Sequence, residues 1–135
     1  MFLDLFIVPR NRVINEPKAT RTVKSSKGLV KQYWQATSWK QINETQKTAL
    51  YYGVVYDNEW FDHRLIKDLH SVLLLNMNID MFSLFCARGD GKVVYEPRVF
   101  RRELLLDPHI LHQPLPVGHR QLKFEKLIGG WLYVD

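Results

Sequence analysis

A single cysteine, Cys86, is all the thiol this 135-residue chain contains. One thiol closes no internal bridge, so a disulfide scaffold is excluded and a reducing, intracellular (cytoplasmic) compartment is expected. Long apolar runs are also missing. None outlasts Val72-Leu73-Leu74-Leu75, against the roughly 20 residues a membrane-spanning helix needs. The opening stretch Met1 to Pro9 is apolar but short, carries Asp4 and has no basic run before it, so it makes a poor signal peptide. Internal repeats, linkers and low-complexity tracts are absent, and the length suits one domain, 1–135, rather than two.

What is present is an ordinary globular composition, with 46% hydrophobic and 24% charged residues and a good supply of aromatics: 4 Trp, 6 Tyr and 7 Phe. A chain of this size buries roughly two thirds of its unfolded surface and needs no metal to fold. The net charge of +5 is unevenly placed. Arg10, Arg12, Lys18, Arg21, Lys24, Lys27 and Lys31 face only Glu16 in their own segment, a surplus of six, which leaves the rest of the chain at −1. That segment holds two prolines, a glycine and several hydroxyl residues with little apolar periodicity, and reads as a basic loop or arm over 9–28.

The periodicities predict strands over 2–8, 29–36 and 51–56. Ser38-x-x-Gln41 has the form of a capping box and predicts a helix over 38–49. Asp57-Asn58 caps a second helix, with Glu59 and Asp62 in its first turn and Phe61, Leu65, Leu69, Val72 and Leu73 on its apolar stripe. Residues 75–81 alternate like a strand. Arg88-Gly89-Asp90-Gly91 is a turn signal that joins a hairpin over about 79–99. A short helix is expected at 101–106, a loop at 107–118, and two last strands at 121–128 and 131–134 hinged at Gly129-Gly130. The expected fold is α+β: a mostly antiparallel sheet of five to seven strands with two main helices packed on one face.

Four constellations bear on chemistry. Asp57, Glu59, Asp62, His63, Asp68 and His70 are titratable neighbours, read as the solvated face of a helix. Asp107, His109, His112 and His119 have metal-like spacing but lie in a proline-rich loop without zinc-site context. Cys86 sits in an apolar stretch and reads as a structural thiol rather than a nucleophile. Asp80 with Glu96-x-Arg98 has the outline of a metal-dependent nuclease, weakened by Pro97 and by arginine where lysine belongs.

No residue is therefore assigned a catalytic or metal-binding role and no cofactor is expected. The sequence reads as a small non-enzymatic module contacting a polyanion, nucleic acid before others. The seven cations of 10–31 would bind phosphates, with Tyr33, Trp34 and Tyr52 as stacking candidates. The rival is a structural or assembly subunit, open to homo-oligomerisation, whose basic loop docks on an acidic protein or an anionic membrane. A metal-dependent hydrolase is the third reading.

Overall fold

Strand β1 (Leu3–Val8) is buried along its whole length and has parallel neighbours on both sides, β2 (Val30–Gln35) and β3 (Tyr51–Tyr56). Its apolar sequence, broken only by Asp4, is what a strand covered on both faces requires, and the buried Asp4 carboxylate is satisfied by the Thr48 and Ala49 N–H groups at 2.6 and 3.0 Å. Helix α1 (Glu16–Ser25) connects β1 to β2, and α2 (Trp39–Glu44) connects β2 to β3. The second connection travels back across β1, so right-handed crossovers put the two helices on opposite faces. Packing agrees: Ala19 of α1 joins Leu3, Leu5 and Ile7 in one core, while Ile42 of α2 joins Phe6 and Val8 in another. The computed structural model describes residues 3–75, 78–87, 90–106 and 122–135.

Beyond β3 the sheet continues through the hairpin β5 (Met81–Ala87) and β6 (Val93–Arg101), with β6 antiparallel to β3. It then runs to β8 (Leu132–Val134) and to β4 (Glu59–Phe61), giving the order β2-β1-β3-β6-β5-β8-β4, with β7 (Phe124–Lys126) beside the start of β5. Helix α3 (His63–Leu75) lays Leu65, Leu69 and Leu73 onto the same core as α1. At Gly130 a side chain would lie 2.3 Å from the Leu65 backbone nitrogen, so the approach of this turn to α3 needs glycine.

The sheet curls, and α1 lies against its far edge. The Thr22 hydroxyl donates to the Glu59 carbonyl at 2.5 Å, and the Phe61 N–H donates to the Ser25 hydroxyl at 2.9 Å. Two side chains of one helix thus satisfy backbone groups on the open side of β4, which would otherwise template a further strand. The result is a half-barrel whose seam α1 fills.

These observations correct the expected fold. Among the described residues the sheet has eight strands and is mixed, with four parallel and three antiparallel pairings, and three helices lie on its two faces instead of two on one. The expected basic arm is largely helix: Asn15 caps it, accepting from the Lys18 N–H at 3.1 Å, and Pro17 occupies its first turn, where a missing N–H costs nothing. The helix expected from 38 stops at Glu44, although Ser38 caps it and Gln41 reaches back to the Thr37 N–H at 2.7 Å. Asp57-Asn58 turns into β4 rather than into a helix, because Glu59 and Phe61 are drawn inward together. Of the stretch expected to alternate as a strand over 75–81, Leu75 ends α3, 78–80 are turn and coil, and only Met81 belongs to a strand among the described residues. A turn stands where a helix was expected at 101–106, and the expected loop at 107–118 lies outside the described residues.

Candidate functional site

Inward-facing side chains of the curl meet in an ion network. Arg98 is 1% exposed and stands at an irregularity in the β5–β6 register: Phe82 pairs with Val99 and Ser83 with Pro97, leaving Arg98 unopposed. This bulge turns Arg98 inward beside Val99, and Pro97, which has no N–H to offer a ladder, falls where one is not needed. The Glu59 carboxylate, itself 1% exposed, takes both terminal nitrogens of Arg98, one of them at 2.8 Å. It also accepts from the Tyr56 N–H at 2.7 Å and from Arg10 at 3.5 Å. Glu96 takes a further bond from Arg98. Burial by itself opposes the Arg98 charge, but the attraction and hydrogen bonds of Glu59 win and raise its pKa above the ordinary guanidinium value. Two carboxylates against two guanidiniums make this a structural lock on the seam, not a reactive centre.

The network takes cations from the expected phosphate-binding set. Arg10 is held by Asn58 and Glu59 and stacks 3.7 Å over the Tyr56 ring. Lys18 and Arg21 share the Asp135 carboxylate. Arg12, Lys24, Lys27 and Lys31 are exposed and have no carboxylate partner among the described residues. The expected stacking residues fare less well. Tyr52 is wholly buried between Phe6 and Phe100, and its hydroxyl donates to the Leu104 carbonyl. Tyr33 packs on the core, with its hydroxyl within 2.8 Å of the Ser26 hydroxyl. Trp34 is half-buried and stacked on Phe6 at 5.2 Å. Strands β2 and β3 flank β1 in the part of the sheet that carries α1 on one face and α2 on the other, and their rings pack toward those two cores.

The outward face of the other half is different. Strand register places Tyr95 opposite Phe85, Tyr133 opposite Ala87 and Trp60 opposite Tyr133. Phe85 lies between two rings, Tyr95 at 4.9 Å and Trp131 at 4.2 Å, and Trp60 stacks on Tyr133 at 4.4 Å. These five rings cross four strands, β6-β5-β8-β4, and belong to neither core. All are partly exposed, Trp131 the most at 37% and the other four half-buried. Outward positions of a half-buried strand are ordinarily polar; here aromatics occupy them in two adjoining rows. Cations border the rows at both ends: Lys126 sits 5.1 Å over Tyr95, and Arg21 5.2 Å over Trp60. Lys24 follows Arg21 by three residues, so the two are neighbours on the surface of α1. Sequence reasoning missed this face because its rings come from four separate strands; period-2 alternation at 81–87 and 131–134 is the signal that turns Phe85, Trp131 and Tyr133 outward.

Among the described residues the remaining constellations do not assemble. Asp57 is spent on backbone, accepting from the Arg10 and Asn15 N–H groups at 3.1 and 2.8 Å, and Asp62 accepts from the Arg64 N–H. Among the described residues no three His, Cys, Asp or Glu side chains gather to hold a metal. Asp80 and Glu96 stand at different heights of the hairpin, Asp80 bonding at Arg101 and Glu96 opposite Leu84, so the nuclease outline is not formed. Cys86 is buried in the inner core. Asp107, His109, His112 and His119 lie outside the described residues. No described helix is long and apolar enough to cross a membrane. Comparison with known proteins finds no matching family model and no matching curated protein.

Proposed function

We propose that this chain is a non-enzymatic nucleic-acid-binding module that takes single strands on the outward face of β6, β5, β8 and β4. The observation that carries this reading is the pair of adjoining aromatic rows, Tyr95-Phe85-Trp131 and Tyr133-Trp60, bounded by Lys126 and Arg21. Unpaired bases stack on such rings whatever their identity, each stack contributing about 1–3 kcal/mol, while neighbouring cations follow the phosphates. A duplex hides its ring faces and gains nothing here. Helix α1 borders β4, so Arg21, Lys24 and the exposed cations Arg12, Lys27 and Lys31 add an attractive field beside the rings.

Anisotropy of a labelled 12-nucleotide strand measures this directly. Tyr95→Ala and Trp131→Ala are each expected to weaken binding about ten-fold or more, and affinity should fall steeply with salt. Binding that survives the double variant and ignores salt removes the reading. The rival, an assembly subunit that buries these rings against a second protein, predicts a defined oligomer in light scattering without any nucleic acid.

A further inference from the structure

The strand order reverses direction at β1. From β1 the chain moves through α1 to β2 on one side, then through α2 across to β3 on the other. Helices leaving on opposite faces part the chain beyond the C-terminal ends of the strands, and a crevice opens there in sheets wound this way. In this molecule it is a cleft of about 340 Å³ lined by Val8, Pro9, Thr37, Ser38, Trp39, Lys40 and Tyr56, within the range of small-ligand sites. It lies at the end of the covered half of the sheet, and its lining shares no residue with the outward aromatic rows.

From this cleft we infer a second binding site, for a small anion that carries an aromatic ring, of the nucleoside monophosphate class. The lining combines an indole and a phenol ring with aliphatic walls and has no carboxylate. Its one charged member is Lys40, whose side chain is 82% exposed and engaged only by Glu44 at 4.0 Å among the described residues, a weak surface pair that a phosphate displaces readily. The Arg10 guanidinium, stacked 3.7 Å over the Tyr56 ring, stands close by but is already held by Asn58 and Glu59, so Lys40 is the cation left for a phosphate. The Thr37 and Ser38 hydroxyls are committed to the α2 cap, through Gln41, and hold the segment 37–40 in place. Aromatic rings with cations beside them match a base and a phosphate in a single small molecule. With no carboxylate in that lining, a bare metal ion is poorly served.

Isothermal titration calorimetry of the full chain with adenosine 5′-monophosphate, adenosine and inorganic phosphate tests the inference. Saturable one-to-one binding of the monophosphate is expected, with adenosine and phosphate each at least about ten-fold weaker. Lys40→Glu, a surface change that should leave the melting temperature in place, is expected to weaken the monophosphate at least about ten-fold. Tyr95→Ala is expected to bind it as the unaltered chain does, which separates this site from the outward face. Absence of saturable binding overturns the inference, as does undiminished binding by Lys40→Glu or loss of binding in Tyr95→Ala.

Discussion

The two halves of this sheet treat their aromatic residues in opposite ways. In β2-β1-β3, α1 lies on one face and α2 on the other, and the rings of Phe6, Trp34 and Tyr52 close on one another as core. In β6-β5-β8-β4 the inner face packs on α3, while the outer face carries Tyr95, Phe85, Trp131, Tyr133 and Trp60 with no part in either core. The same residue type therefore stabilises one half and dresses the surface of the other. An outward apolar row lowers solubility and adds little to the fold, which is the reason to propose it as the binding surface.

Substitutions sharpen this contrast. The largest loss is expected on the buried side: Tyr52→Ala removes a fully buried ring and should cost about 3–5 kcal/mol in urea unfolding. Glu59→Gln, which leaves the buried Arg98 short of its main counter-charge, should cost a similar amount, about 3–5 kcal/mol. Thr22→Val and Ser25→Ala each strip a hydroxyl from the β4 edge and should cost about 1–3 kcal/mol, with raised aggregation as a second readout. Tyr95→Ala, on the outward face, is expected to cost under about 1 kcal/mol while weakening oligonucleotide binding. Lys24→Ala should stay within about 0.5 kcal/mol of the parent. A stability loss at Tyr95 as large as that at Tyr52 would erase the distinction between the halves.

Alkaline pH separates the halves by another route. Burial raises the Tyr52 pKa well above its ordinary value near 10, and burial also raises those of Tyr33, Tyr51 and Tyr56. The folded chain then keeps protons that the unfolded chain gives up, so the stabilisation is complete below pH 10 and drains away as pH rises through the folded values. Unfolding midpoints measured from pH 8 to 12 should fall above pH 10, and less so in Tyr52→Phe. An unchanged slope in Tyr52→Phe would show that Tyr52 is not the group responsible.

Much of the local structure was legible in the residues. Mostly apolar runs marked β1 and β3, and an Asp-Gly turn signal between two apolar stretches marked the β5–β6 hairpin. Helix α1 was overlooked because its lysines, arginines and proline read as loop, although Asn15-Glu16-Pro17 is itself a helix start. Strand β4 has three residues and an inward glutamate whose partner, Arg98, lies 39 positions away, so nothing local identifies it. The binding surface was expected on aromatic strands near the basic segment. The idea of stacking rings beside cations survives as a proposal, but on other strands, since only register and curl decide which rings are left outside.

The most direct test follows backbone amide shifts across the whole chain while a single-stranded 12-nucleotide oligomer is added. The account predicts that the shifts gather on β5, β6, β8 and β4, around Phe85, Tyr95, Trp131 and Trp60, with a border at Arg21 and Lys24. Shifts confined to the 26–29 turn and the start of β2, or none at all, would contradict it.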